Sequence, residues 1–177
     1  MEKERAQVVM VDVKKSLLSS HPENCYYITE IEEFDSYMES LVPTLRERKE
    51  AHDRDAGRHF APIAIFVDNF KTAYEQMLDV SAKRMEAIIR LGEGLDVYLY
   101  IAEDADAFCR MHAQGEVVSV LMAKENTAIL LGGSFTSYPV FHSEMSGLEK
   151  NQVLGEREGY LLQNEKTTKF KTMSMIS

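Results

Sequence analysis

The sequence has no long hydrophobic run, no excess of basic residues and little cysteine. No apolar stretch approaches the roughly 18–20 residues that a transmembrane helix needs, so we expect no direct membrane insertion. The net charge of −9 argues against a nucleic-acid partner, which would require a concentrated basic patch. The two cysteines, Cys25 and Cys109, have no metal-ligand spacing, and the first residues lack the apolar core of a signal peptide. These absences favour a cytoplasmic protein with reduced thiols.

Interdomain linkers and internal repeats are also missing. The chain has 177 residues, of which 45% are hydrophobic and 28% charged, which is typical of a globular protein with a sizeable core. No Pro/Gly-rich segment divides it. We therefore expect residues 1–177 to form a single α/β domain.

The most informative stretch is the apolar run at residues 63–67, which ends in Asp68. Its length predicts a strand buried on both faces, as in a parallel sheet, and Pro62 can only stand at its beginning. Asp68 would lie at the carboxyl end of the strand, where open α/β sheets bind ligands. An apolar strand that ends in Asp has the form of a Walker B segment, although Asp is also a common helix cap.

Strands and helices alternate along the rest of the chain. Predicted strands cover residues 7–13, 25–29, 96–102 and 127–131. Helices are predicted after the second strand, from about 70 to 91, after Asp104 to about 113, and at about 115–124. Residues 159–163 and 168–173 are predicted to form a hairpin. This order predicts a mainly parallel sheet with helices on both faces and a C-terminal β-hairpin.

Local signals predict where some of these elements begin and end. Thr29 and Glu32 have the spacing of a capping box at the start of the first helix. Pro43 should kink that helix or divide it, and the charged residues that follow should form a solvated face. Gly92 and Gly94 should end the helix that begins at about residue 70.

The sequence lacks the parts that would make Asp68 catalytic. A P-loop enzyme requires G-x-x-x-x-G-K-[ST] to hold phosphates, and no such run occurs. The residue after Asp68 is Asn69, which cannot act as a general base. Glu103 and Asp104 follow the next long strand and form a possible second site at the carboxyl edge, although helix capping explains Asp104 equally well. We therefore predict no catalytic residue and no metal ligand.

Several segments in order resemble the FtsK/SpoIIIE branch of motor ATPases. The matching segments are Leu-Arg-Glu-Arg-Lys-Glu at 45–50, Pro-Ile-Ala-Ile-Phe-Val-Asp-Asn-Phe at 62–70, Arg-Leu-Gly-Glu-Gly-Leu at 90–95, Ala-Ile-Leu-Leu-Gly-Gly at 128–133 and Gly-Glu-Arg-Glu-Gly-Tyr at 155–160. Together they are similar to the degenerate C-terminal ATPase-like domain of type VII secretion ATPases of the EssC/YukB type.

The resemblance implies a P-loop NTPase fold of the RecA/FtsK-like, three-layer kind that begins after the Walker A segment. Asp68 and Asn69 would then be a vestigial nucleotide-binding edge, and this chain would use no cofactor, whereas intact family members use ATP and Mg²⁺. The strands at 7–13, 63–67 and 96–102 would be neighbours in the sheet. An exposed sheet edge would then allow pairing with another chain.

The same resemblance implies a role in protein export. The chain would be a fragment of a membrane-anchored, hexamer-forming motor and would act on its cytoplasmic side in regulation or substrate engagement. Its partners would be the rest of the secretion ATPase and the exported proteins.

Two other functions are open on the residues alone. One is a stand-alone α/β enzyme or Mg²⁺-dependent phosphate-ligand binder that uses Asp68, Glu103 and Asp104. The other is an adaptor that binds a peptide along an edge strand or the C-terminal hairpin.

Overall fold

The computed structural model describes residues 6–19, 21–112, 116–123, 127–133, 151–163 and 166–172, which fall into two compact units, Met1–Asp104 and Ala105–Ser177. Nothing in this division tests the expectation of a single domain, which stays a prediction. A loop-rich segment is predicted at 134–157 and a hairpin turn at 164–166; of these, residues 134–150 and 164–165 lie outside the described residues.

The first unit is a parallel α/β layer. Its elements are β1 (Gln7–Val11), β2 (Tyr26–Ile28), α1 (Ile31–Arg54), β3 (Ile63–Val67), α2 (Phe70–Gln76), α3 (Asp79–Leu91), a 3-10 turn (Gly92–Leu95) and β4 (Val97–Ile101). The four strands are all parallel, in the order β2-β1-β3-β4. The predicted adjacency of the first, central and third long strands is confirmed.

The second unit contains α4 (Ala105–His112), α5 (Glu116–Ala123), β5 (Ala128–Leu131), β6 (Glu158–Gln163) and β7 (Lys166–Lys171). Its strands form an antiparallel sheet in the order β5-β6-β7. The predicted C-terminal hairpin is therefore confirmed. A small core of Leu130, Leu154, Tyr160 and Leu162 stabilises this sheet.

The prediction that the central strand is buried on both faces is wrong. Ile63, Ile65 and Val67 lie in the core, whereas Phe66 on the opposite face is 37% exposed. Phe66 instead stacks on Tyr100 of β4, with ring centroids 4.6 Å apart and planes 11° apart. The apolar run therefore combines one buried face with one half-open aromatic face.

The first helix departs from prediction at its start, and it is not divided at Pro43. Glu30, with no side-chain capping bond, occupies the N-cap, and the Thr29 hydroxyl donates to Glu30 Oε1 at 3.4 Å, so the capping box is wrong. Pro43 does not divide the helix, which runs without interruption through 24 residues. Residues on both sides of the proline, Leu41 and Ala51, are buried, so both halves of the helix contribute to the core.

The charged half of α1 is not only a solvated face. The Arg48 guanidinium donates to the carbonyl oxygens of Leu95 and Ala61, at 2.8 Å each. It also lies 5.1 Å from the centre of the Phe60 ring. Arg48 therefore ties the helix to the segments that enter β3 and β4.

The predicted helix at 70–91 is two helices. Met77 leaves the helical region with ψ of 159°, and the backbone N–H of Leu78 donates to both carboxylate oxygens of Asp35 at 3.3 Å. Asp35, on α1, thereby stabilises the start of the second helix. This contact with a distant part of the chain coincides with the break, and it cannot be predicted from residues 70–91 alone.

Candidate functional site

Two aspartates lie at the carboxyl ends of adjacent strands. Asp12 follows β1 and Asp68 follows β3, and the Asp68 backbone N–H donates to the Val11 carbonyl at 2.9 Å. This edge is where a parallel sheet positions functional groups. The structure therefore places Asp68 where the sequence predicted it and adds Asp12 beside it.

Neutral donors hold the Asp68 carboxylate. The Asn69 side-chain amide donates to Asp68 Oδ2 at 2.6 Å, and the Ser16 hydroxyl lies 2.7 Å from the same oxygen. Asn69 reaches this position in the left-handed backbone region, with φ of 49°, as the N-cap residue of α2. Asn is one of the few residue types that adopt this conformation at low cost.

Ser16 connects the two carboxylates. Its hydroxyl lies 3.0 Å from Asp12 Oδ1 as well as 2.7 Å from Asp68 Oδ2. A hydroxyl has one proton, so it can donate to only one carboxylate at a time and links the two as a shared donor.

Asp12 is completely buried and fully hydrogen-bonded. Its Oδ2 accepts from the Tyr27 hydroxyl at 2.6 Å and from the Leu17 backbone N–H at 2.7 Å, and its Oδ1 accepts from the Ser16 N–H at 3.0 Å. Burial raises the pKa of Asp12, but these hydrogen bonds outweigh it and leave the pKa below its usual value. Asp12 is therefore an ionised anchor for the turn after β1.

Tyr27 remains a proton donor to this anchor. Burial, together with the hydrogen bond to Asp12, raises the pKa of Tyr27 to about 12. Its ring also stacks on His21, with centroids 4.1 Å apart. The loop between β1 and β2 thus folds back onto the carboxyl edge of the sheet.

The Glu103 side chain caps the start of α2. Its Oε2 accepts the Lys71 backbone N–H at 2.6 Å and its Oε1 accepts the Asp104 N–H at 2.8 Å. The preceding N–H of the helix, from Phe70, donates to the Ala102 carbonyl at 3.1 Å. The β4 end therefore supplies the cap that Asn69 does not provide.

We expect Glu103→Ala to lower the free energy of unfolding by about 1 kcal/mol, because an N–H at the start of α2 loses its acceptor. Glu103→Gln keeps one acceptor oxygen and should lose less. Urea denaturation monitored by circular dichroism measures both. Asp53→Ala is a matched control, since Asp53 is exposed and contacts only Lys49 among the contacts described. Equal losses for the Glu103 and Asp53 variants would contradict the capping role.

The predicted site residues Asp68, Asn69, Glu103 and Asp104 do not form a metal site. Within the described ranges, no group of three or more His, Cys, Asp or Glu side chains has the geometry of a metal site. Asp68 and Asn69 contact each other, whereas Glu103 is committed to the backbone. That these residues form a vestigial nucleotide-binding edge or a second site at the carboxyl edge stays a prediction.

Sequence reasoning missed Asp12, Ser16 and Tyr27. A usable signal exists for Asp12, because it follows an apolar strand just as Asp68 does. Because the predicted first strand extends to residue 13, it includes Asp12 and hides the similarity between Asp12 and Asp68. Ser16 and Tyr27 carry no local signal, since only the pairing of β1 with β2 and β3 brings them to Asp12 and Asp68.

Comparisons with known proteins agree with the resemblance. No protein-family model matches this chain, and no curated protein matches it. Several solved structures are similar to this chain. The ATPases 2 and 3 of Thermomonospora curvata EccC, in complex with a signal sequence peptide, superpose with a TM-score of 0.73 at 14% identity, over 98% of this chain and 32% of that one.

Two EssC structures are also similar. The EssC cytoplasmic domain has a TM-score of 0.67 at 14% identity, over 96% of this chain and 32% of that one. ATPases 2 and 3 of Geobacillus thermodenitrificans EssC have a TM-score of 0.72 at 14% identity, over 94% and 31%. This chain thus spans about a third of the length of these proteins. The predicted resemblance to type VII secretion ATPases and the P-loop ATPase fold class are confirmed at the level of the fold.

Among the residues that the structure describes, each helix is too short or too polar to span a bilayer.

Proposed function

We propose that this chain is a non-catalytic module of a type VII secretion motor of the FtsK/SpoIIIE class, with a role in regulation or substrate engagement. The observation that carries the proposal is the state of Asp68 within an ATPase-type fold. Its Oδ2 already lies within 2.7 Å of two neutral donors, Ser16 and Asn69, in a chain that has no phosphate-binding P-loop sequence.

This geometry disfavours hydrolysis in two ways. A Walker B Asp helps to hold Mg²⁺, which would compete with the hydrogen bonds that Asp68 now accepts. The next residue, Asn69, donates its amide to Asp68 and offers no base for water. Asp68 and Asn69 are best explained as a vestigial edge that stabilises the turn into α2.

The substrate-engagement role is supported by the neighbour that was solved with a signal sequence peptide. By the same analogy, the parent motor would be a hexameric ATPase anchored in the membrane. This module would lie on the cytoplasmic side and bind exported proteins. ATP and Mg²⁺ would belong to other domains of the motor.

Calorimetric titration of the whole chain tests the proposal with two probes, Mg²⁺·ATP and a synthetic type VII signal-sequence peptide. We expect saturable peptide binding and no Mg²⁺-dependent ATP binding, with Asp68→Ala unchanged on both counts. Asp53→Ala is the control for the loss of a surface carboxylate. Failure to bind a panel of signal peptides would remove the substrate-engagement role.

The same titration distinguishes the alternative. Mg²⁺-dependent ATP binding that Asp68→Ala abolishes and Asp53→Ala preserves would overturn the non-catalytic reading. It would favour a phosphate-ligand binder that uses the carboxyl edge of the sheet.

A further inference from the structure

The break between α2 and α3 has no local helix breaker. Residues 70–91 contain neither proline nor glycine, and the residues at the break, Gln76, Met77 and Leu78, are all good helix formers. Met77 nevertheless leaves the helical region, with φ of −71° and ψ of 159°, and Leu78 is also extended. The backbone at the break therefore opposes the local preference of the sequence, which is for one continuous helix.

Asp35 of α1 supplies an acceptor at the start of α3. Leu78 is the N-cap residue, and its apolar side chain cannot accept a hydrogen bond from the first turn. The Leu78 backbone N–H donates to both carboxylate oxygens of Asp35, at 3.3 Å each. In a continuous helix the same N–H would donate to the carbonyl of Tyr74, four residues earlier. The contact with Asp35 therefore takes the place of a helical hydrogen bond.

The Ser81 hydroxyl is left unpaired beside the break. Its side chain is completely buried, and among the described residues it has no hydrogen-bond partner. Inside α1, by contrast, the Ser36 hydroxyl donates to the Glu32 carbonyl, four residues earlier, at 2.8 Å. The equivalent acceptor for Ser81 is the Met77 carbonyl, which the extended ψ of Met77 turns away from α3. A continuous helix would give the Ser81 hydroxyl this acceptor.

The first turn of α3 is also tightened at the break. The Ser81 backbone N–H donates to the Leu78 carbonyl, three residues earlier, at 2.9 Å. The helical spacing of four residues is reached at Ala82, whose N–H donates to the same carbonyl at 3.1 Å. In a continuous helix the Ser81 N–H, like its hydroxyl, would donate to Met77.

Backbone bonds at the start of α2 hold this short helix at the end of β4. The Phe70 N–H donates to the Ala102 carbonyl at 3.1 Å, and the Lys71 N–H donates to Glu103 Oε2 at 2.6 Å. α2 has seven residues, whereas α3 has 13 and packs against α1 and β4. If the two helices join, α2 is therefore the part that moves, and the two bonds at its start are released.

We propose that the α2–α3 break is a two-state switch, in which Asp35 selects the broken form and its withdrawal lets residues 70–91 join into one helix. Such a switch requires two arrangements that are close in free energy. The acceptor at Asp35 and the bonds between α2 and β4 favour the broken form. The helix-forming residues at the break and the unpaired Ser81 hydroxyl favour the continuous one. The proposal rests on contacts within the first unit and does not depend on the proposed role in secretion.

The switch connects α1 to the carboxyl edge of the sheet. α2 begins directly after Asn69, whose side-chain amide donates to Asp68. Movement of α2 therefore changes the surroundings of Asp68. A group that binds the Asp35 carboxylate in competition with Leu78 would alter this edge without contacting it, because it would bind the two forms with different affinity.

Nuclear magnetic resonance of the whole chain tests the proposal at Met77 and Leu78. Their carbon-13 shifts distinguish helical from extended backbone, and their relaxation dispersion detects a minor form. Asp35→Ala should raise the ratio of the continuous to the broken form about fivefold, because a capping acceptor is lost. Asp35→Asn keeps one acceptor oxygen and should raise it less. Asp53→Ala is the matched control on α1, since the Asp53 carboxylate contacts Lys49, and it should leave the ratio unchanged.

Ser81→Ala should act in the opposite direction. It removes the hydroxyl that only the continuous form satisfies, so the Asp35→Ala, Ser81→Ala double variant should contain less of that form than Asp35→Ala alone. Ser36→Ala is the control, because the Ser36 hydroxyl is paired within α1. Amide exchange of Lys71 should become faster in Asp35→Ala, since joining the helices releases its bond to Glu103.

Three results would overturn the proposal. The first is an Asp35→Ala variant in which Met77 and Leu78 are as extended as in Asp53→Ala. The second is a helical form at Met77 that Ser81→Ala increases or leaves unchanged. The third is a helical form with no change in Lys71 exchange, which would show that α2 does not move. Circular dichroism establishes that each variant is folded, and Asp35→Asn replaces Asp35→Ala in every comparison if the alanine variant is unfolded.

Discussion

Replacing Gly92 with alanine is expected to destabilise the protein by about 3 kcal/mol, because the new Cβ would overlap the Val97 carbonyl oxygen. Gly92 ends α3 with helical angles, φ of −59° and ψ of −38°, so the cost is steric and not conformational. The obstacle is backbone, which cannot rotate away as a side chain can. To relieve the overlap, α3 or the start of β4 must move.

Gly94→Ala is the matched control in the same 3-10 turn. The nearest atoms to its added Cβ belong to the His52 ring, at 3.5 Å, which is an ordinary van der Waals distance. We expect a change within about 1 kcal/mol. Urea denaturation of both variants and of the wild type gives the comparison. Equal effects at the two glycines would show that the Val97 carbonyl is not the determining contact.

Replacing Asp12 with alanine is expected to cost about 3 kcal/mol, because it leaves the Tyr27 hydroxyl and two backbone N–H groups without their acceptor. Asp12→Asn keeps one acceptor oxygen and should cost about half as much. The Tyr27→Phe variant measures the contribution of the Tyr27 hydroxyl alone, since it leaves the backbone N–H bonds of Ser16 and Leu17 to Asp12 in place. A loss below about 0.5 kcal/mol for Asp12→Ala would contradict the anchoring role.

The stabilisation that Asp12 supplies should disappear in acid. The pKa of Asp12 is lowered in the folded protein, whereas the pKa of an unfolded Asp is about 3.9. The contribution is therefore fully present above that pH and is lost as the pH falls through the folded pKa. The difference in unfolding free energy between wild type and Asp12→Asn, measured from pH 7 to pH 3, should be constant at first and then shrink. A difference that grows in acid would reverse the sign of this linkage.

The strand that ends in Asp68 could be predicted because its signal is local. Five apolar residues bounded by a proline and an acid allow few alternatives, and the structure places that strand at Ile63–Val67. The burial of its two faces could not be predicted from this local signal. A continuous apolar run predicts two covered faces, whereas here the aromatic residues Phe66 and Tyr100 cover each other and leave one face half open.

The candidate site was predicted in part for a similar reason. Asp68, Asn69 and Glu103 are found at strand ends by periodicity alone, but their roles depend on which backbone and side-chain groups meet them. Glu103 contacts the start of a helix 32 residues earlier in the chain, and Ser16 contacts Asp68 from 52 residues away. Such contacts follow from strand order, which local patterns do not encode.

The sequence by itself determined the alternation of strands and helices, the position of Asp68 and the closing hairpin, because these depend on periodicity and turn residues within a few positions. The tertiary structure alone decided that α1 continues through Pro43, that Asp35 separates α2 from α3, and that Asp12 is buried beside Asp68. Tertiary structure can decide such features because one buried hydrogen bond or one packed side chain contributes about 1–3 kcal/mol, which is the size of a typical local preference.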